Sequence, residues 1–77
     1  MPTILRQDGF RFFFYSREGN EPPHIHVVGH GGEMKVWLNT LTVAKVFNLS
    51  PSHQKLVMEI VSQNRDLLIK KWGEFHG

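Results

Sequence analysis

Apolar and polar positions alternate through the first half of the chain, then change to a helical period in the second. Thr3-Ile4-Leu5 is a short apolar run and predicts a first strand at a sheet edge. Gln7-Asp8-Gly9 follows, with Asp-Gly the favoured pair for a tight hairpin. Phe10 to Ser16 predicts a second strand with Phe10, Phe12 and Phe14 on one face and Arg11, Phe13 and Tyr15 on the other. The wholly aromatic face belongs against a core. The amphipathic face points to a central strand whose second side is partly covered or used for binding. Arg17 to Pro23 is a polar loop rich in turn formers, and its Glu18, Asn20 and Glu21 are near enough in sequence to approach the histidines that follow. A third strand is expected at about 24–28, a glycine-rich turn at Gly29-His30-Gly31-Gly32, and a returning strand over 33–38.

The register of that second hairpin follows from arithmetic. A turn centred between His30 and Gly31 sets Val27 opposite Met34 and Ile25 opposite Val36, all apolar. It also sets His26 opposite Lys35, His24 opposite Trp37 and Val28 opposite Glu33. Both faces are chemically coherent. A slip of one residue destroys the separation, because side chains alternate with period two.

From Asn39 to Leu49 two patterns compete: Leu41, Ala44 and Phe47 have helical spacing, while Val43, Lys45 and Phe47 suit a strand. The helical spacing predicts a short helix ended by Asn48. Ser50-Pro51 then marks a helix start, with Ser as the N-cap and Pro at the first helical position. Leu56/Val57, Ile60/Val61, Asn64, Leu67/Leu68, Lys71/Trp72 and Phe75 trace one stripe at helical spacing, which predicts a long helix over about 51–74. Lys70 and Lys71 near its end suit the macrodipole. Asn64 is the polar interruption of the stripe, and such a residue more often caps a core edge or fixes a partner's register than does chemistry. The expected architecture is α+β: a three- to four-stranded antiparallel meander packed on one face by a long C-terminal helix, as a single domain over 1–77.

Composition narrows the picture. Seventy-seven residues lie near the lower limit at which a chain buries enough surface to fold alone. The chain has no cysteine, which excludes disulfides and thiolate metal sites. Six Phe, two Trp and one Tyr supply large apolar surfaces, some of them available to an oligomer interface. No run approaches the ~20 apolar residues of a membrane span, and Met1 to Arg6 is unlike a signal peptide. A cytoplasmic protein away from membranes is expected. The formal net charge of +2 is mild, and the nine basic residues form no dense block, so composition permits nucleic-acid binding without arguing for it.

The chemistry concentrates in Asn20-Glu21-Pro22-Pro23-His24-Ile25-His26-Val27. Pro22 and Pro23 fix φ, lack N–H donors and deliver an extended chain into the strand. His24 and His26 then share one face, with Cα atoms roughly 6.5 Å apart, while Ile25 and Val27 face the core. Two imidazoles so placed can bind one metal ion or act as acid and base on one substrate. The plain structural alternative is a solvent-facing stripe that happens to carry histidines.

Gly9 to Ser16, Glu18 and Glu21 to Val27, together with Glu33 to Leu38 and Asn64 to Leu68 with Lys71-Trp72, resemble the bacterial family called domain of unknown function 4160. Its Pro-His-x-His element falls on Pro23, His24, Ile25 and His26. The resemblance implies a small stand-alone protein, often encoded beside a second small family, domain of unknown function 2442. That pairing implies one component of a toxin–antitoxin-like module, and some members carry a transcriptional-regulator label. It implies no catalytic residue.

Three functions are therefore expected to compete. The first is a component of a toxin–antitoxin-like or regulatory module that binds a small cognate partner protein, a second copy, or RNA or DNA. Its surface is Arg11, Phe13, Tyr15, His24, His26, Lys35 and Trp37, since aromatics interleaved with cations suit bases and phosphates. Burial of that face in an oligomer wants the same residues. The second is a small ribonuclease with His24 and His26 as acid and base, Lys35 or Arg11 stabilising charge, and Tyr15 orienting. The third is a metal-binding hydrolase: no cofactor is demanded by the sequence, but His24 and His26 supply two ligands for a divalent metal. A third ligand has to come from Glu33, from Glu18 or Glu21, or from His30. His30, His53 and His76 read as ordinary histidines. A helix-turn-helix over Leu41 to Leu56 is set aside as a DNA reader, because its second helix is apolar where a recognition helix is polar.

Overall fold

The computed structural model describes residues 3–76; Met1, Pro2 and Gly77, the ends of the expected domain, lie outside the described residues. Five strands form one antiparallel sheet in the order β1-β2-β3-β4-β5: Thr3–Gln7, Phe10–Phe13, His24–Gly29, Gly32–Trp37 and Thr42–Phe47. Two helices follow, α1 Pro51–Gln63 and α2 Arg65–His76. Every strand neighbour in sequence is a neighbour in space.

The two tight hairpins rest on backbone conformations their sequences select. Asp8 and Gly9 have φ of 53° and 81°, and His30 and Gly31 have 51° and 79°. Two successive left-handed residues match the twist of the flanking strands, and Gly adopts that region without a Cβ clash. The β3–β4 register is the one the turn position predicts: His24 faces Trp37, Ile25 faces Val36, His26 faces Lys35, Val27 faces Met34 and Val28 faces Glu33.

Phe10, Phe12, Ile25, Val27, Met34 and Val36 point to the helix side and pack with Val57, Ile60, Val61, Leu68 and Trp72 in one core. Phe14 and Leu38 lie just beyond their strands and are fully buried in the same core. The sheet therefore has an inner face under the helices and an outer face carrying Arg11, Phe13, His24, His26, Lys35 and Trp37.

The expectation for Asn39 to Leu49 is corrected. That segment is a turn followed by β5, giving five strands instead of three or four. Leu41 reverses the chain at φ 55°, Asn48 at φ 56°, and the β-branched Thr42, Val43 and Val46 suit the extended conformation between them. Consequently the first helix of a helix-turn-helix is absent from this segment.

The single long helix is also corrected. Asn64 ends α1 with φ −111° and ψ 13°, and its side-chain amide donates to the Ile60 carbonyl at 2.8 Å. A short amide competing for the carbonyl that the helix itself uses breaks regularity there. Leu68 N–H still bonds the Asn64 carbonyl at 2.9 Å, so α2 resumes within one turn. Arg65 fixes the new direction by donating to the carbonyls of Leu38 and Asn39 at 2.9 and 3.2 Å. Ser50 caps α1 as expected, accepting from His53 N–H at 3.2 Å. Gly73 does not stop α2, which runs on to His76. No helix among the described residues is long and apolar enough to cross a membrane.

Candidate metal centre

His24 and His26 project from β3 on the outer face, and the loop between β2 and β3 folds back over them. Glu18 is the residue this loop delivers. Its Oε1 lies 2.9 Å from Nε2 of His24 and 2.6 Å from Nε2 of His26. One ligand atom from each of the three side chains lies within 4.8 Å of the others. A tetrahedral metal with bonds of ~2.0–2.2 Å separates its ligand atoms by roughly 3.3–3.6 Å. Binding one therefore requires the Glu18 carboxylate to move outward from 2.9 and 2.6 Å and the widest pair of ligand atoms, up to 4.8 Å apart, to draw together.

The loop is held in place by many contacts. Glu21 N–H bonds the Glu18 carbonyl at 3.1 Å, and the Pro23 carbonyl accepts from Leu38 N–H at 2.9 Å. Glu21 carboxylate takes the Lys35 ammonium at 2.7 Å. The two prolines contribute rigidity, and the Pro22 carbonyl contributes chemistry: it accepts from Nδ1 of His24 at 2.9 Å.

The two histidines differ in access. His24 is fully buried, between Trp37 at 5.4 Å and Trp72 of α2 at 4.7 Å, measured between ring centroids. His26 keeps 16% of its side chain exposed, edge-on to Tyr15 at 4.5 Å and stacked on Phe13 at 5.7 Å. Burial, the largest influence on it, pushes the His26 imidazole below its ordinary value, while Glu18 pulls the other way. Burial likewise pushes the Glu18 carboxyl up, but its hydrogen bonds and charge interactions with His24 and His26 outweigh that, and it sits below its ordinary value.

The hydrogen-bond inventory at His24 decides what the cluster can do. Both of its nitrogens face oxygen acceptors, the Pro22 carbonyl and the Glu18 carboxylate. A neutral imidazole has one N–H and can serve only one of them. With Nδ1–H committed to Pro22, the Nε2 lone pair points at a carboxylate unless a second proton or a metal cation stands between. A ring N–H fixed on a backbone carbonyl with the other nitrogen free is how metal-ligating histidines are oriented.

Among the sequence candidates, the structure brings together His24, His26 and, for the third ligand, Glu18. Glu21 is engaged with Lys35, Glu33 faces Lys45 at 3.5 Å, and His30 bonds the Asp8 carbonyl at 3.0 Å in the β3–β4 turn. Lys35 lies across Trp37, its ammonium 4.6 Å from the ring centroid. Arg11 lies over Phe13 at 4.5 Å and donates to the Thr3 hydroxyl at 2.7 Å, one strand away from the cluster. Phe13 is buried on the outer face and Tyr15 is exposed. Sequence reasoning placed Trp72 on the helical stripe but missed that it backs His24 from 48 residues away in the chain, a contact no local pattern marks.

Residues 9–73 match the family model described as Domain of unknown function (DUF4160). The chain belongs to that family. The matched span contains Glu18, His24, His26 and Lys35, so the whole cluster lies inside the DUF4160 region. No curated protein and no solved structure matches the chain.

Proposed function

We propose that this DUF4160 protein is a divalent transition-metal protein whose centre is Glu18, His24 and His26, with its uncovered side available for hydrolytic chemistry. The observation that carries this reading is the convergence of three ligand atoms within 4.8 Å around a buried imidazole whose other nitrogen is locked on a carbonyl. Two nitrogens and one carboxylate oxygen suit zinc and its divalent neighbours. Three protein ligands leave further coordination positions open, the mark of catalytic sites, and a metal at such a site lowers the pKa of bound water to about 7.

The acid–base alternative is weaker on the same geometry. A ribonuclease pair needs both imidazoles to reach substrate, and His24 has no exposed surface. Burial that disables an acid or base is no obstacle to a ligand.

Titration calorimetry with Zn²⁺, together with the visible spectrum of the Co²⁺-loaded protein, tests the proposal. One metal per chain is expected, with a tetrahedral or five-coordinate cobalt spectrum. Glu18→Gln and His26→Ala each should weaken binding by about a hundredfold or more, beyond the 10–100-fold typical of outer-shell changes. Unchanged uptake in both variants rejects the site.

A second reading is favoured by one observation. Strand β5 is exposed along its whole length, with Val43, Val46 and Phe47 uncovered and Phe47 at 62%. A component of a two-protein module, or one copy of a homo-oligomer, buries such area against its partner. Lys45 and the irregular pairing beside it guard the edge against strand addition, so the partner would cover side chains. Light scattering of wild type and Phe47→Asp checks this; a monomer in both cases removes the oligomer.

A further inference from the structure

Four residues lie directly opposite one another across β2 to β5 on the outer face: Phe13, His26, Lys35 and Lys45. The last two are like charges in facing positions, an arrangement that costs stability unless something offsets it. Glu21 bonds Lys35 at 2.7 Å, but Lys45 has only Glu33 at 3.5 Å, with both side chains largely exposed. Such an exposed, long pair contributes little. Beside this row the sheet carries a depression of about 100 Å³, lined among others by Tyr15, His26, Glu33, Lys35 and Lys45. That is the scale of a small oxyanion with a water or two. His26 belongs both to this depression and to the Glu18–His24–His26 cluster.

We propose that the depression is the substrate side of the metal centre and takes a phosphoryl group, so that the protein's ligands are phosphate esters. This rests on the metal-centre reading for its position and on Lys35 and Lys45 for its charge. Lys45, whose pair with Glu33 is long and exposed, offers its ammonium to phosphoryl oxygens in the depression, and Lys35, held by Glu21, adds to the positive field. An oxygen directed at His26 reaches the open side of the centre. Glu33 is the opposing charge in the same depression. It sets the sign of a second test, because removing it should improve anion binding.

The experiment is calorimetric titration of the protein, zinc-loaded and freed of excess metal, and in parallel metal-free, with inorganic phosphate and with a dinucleoside phosphodiester. Lys45→Gln, exposed and away from the proposed ligands, is expected to weaken binding about 1.5- to 5-fold. Glu33→Gln is expected to tighten it by a similar factor. Tighter binding of the diester than of phosphate assigns the group to a nucleic-acid-type ester, with exposed Tyr15 as a stacking surface; equal binding assigns it to free phosphate or a monoester. Metal uptake without phosphate binding overturns the subsite and leaves the metal reading standing. Phosphate binding to the metal-free protein that Lys45→Gln still weakens supports the subsite, while absent zinc uptake in the same samples overturns the metal reading alone. Binding that neither Lys45→Gln nor Glu33→Gln alters overturns the inference.

Discussion

Replacing His24 separates its structural role from its role as a ligand. His24→Phe keeps a ring in the fully buried slot between Trp37 and Trp72 but removes both nitrogens. The Pro22 carbonyl then loses its donor, at a cost of about 1–3 kcal/mol for an unsatisfied buried group. Glu18, partly exposed, keeps His26 at 2.6 Å, so its loss of His24 is screened and adds at most about 1 kcal/mol. Burying a more apolar ring offsets about 1 kcal/mol, leaving a net loss of up to about 3 kcal/mol. For a chain of this size that lowers Tm by about 4–8 °C per kcal/mol. His24→Ala removes the ring as well, and on the scale of aromatic truncations this costs about 3–5 kcal/mol more. The domain's whole stability is about 4–12 kcal/mol, so His24→Ala should be close to unfolded where His24→Phe still folds. Urea denaturation in EDTA measures both. Zinc at about a hundred times its Kd should then stabilise wild type by about 2.7 kcal/mol and leave His24→Phe unmoved. Equal stability of the two variants in EDTA refutes the packing argument, and zinc stabilisation of His24→Phe refutes the ligand argument.

Acid should destabilise the metal-free protein. Glu18 and His26 both sit below their ordinary values in the fold, so the unfolded chain binds protons the folded chain refuses. Their contribution is full above the unfolded values, about 6.5 for His and 4.3 for Glu, and is lost as pH falls through the folded ones. The urea midpoint in EDTA should therefore decline below about pH 6.5 and again below about 4.3, with Glu18→Gln abolishing the second decline; a flat profile from neutral to acid contradicts the assignment. Gly31→Ala should cost about 1 kcal/mol, because φ is 79° there although the nearest atom to an added Cβ is 3.7 Å away; an unchanged Tm speaks against the left-handed turn. Gly73→Ala, in helix α2 with nothing within 4 Å of the added carbon, should raise stability by about 0.8–1 kcal/mol, and a lower Tm would place a hidden contact at that surface.

The β3–β4 hairpin was legible because two constraints agree: the His30-Gly31 turn fixes which residues face each other, and the resulting faces are chemically pure. β5 was not legible because its pairing is irregular. Met34 faces Val46 while Val36 faces Val43, so two residues three apart serve the same side. The bulge breaks the strand's period of two, so no clean alternation outweighed the helical spacing of Leu41, Ala44 and Phe47. At Asn64 the polar interruption was visible, but its consequence was not: a bend depends on whether the side chain turns back to Ile60 or out to solvent. The histidine pair could be placed on one face from strand period alone. Glu18 could be named only as one of several carboxylates within reach, since a loop has no period to say which one arrives.

The bend at Asn64 bears on the site as well as on the fold. It starts a second helix whose Trp72 closes over His24 at 4.7 Å and whose His76 reaches the Tyr15 carbonyl at 3.0 Å, at the root of the loop that carries Glu18. Phe14, buried beside Trp72 at 5.3 Å, anchors the same root in the core. The loop is therefore pinned at Phe14 and Tyr15 by α2, at Glu21 by Lys35, and at Pro22 and Pro23 by His24 and Leu38. Ordering each residue of a surface loop costs about 1–2 kcal/mol of entropy, which these contacts must offset. Holding Glu18 on two imidazoles sets three ligand atoms near one another ahead of any ion, which is the pre-organisation the proposed metal centre requires.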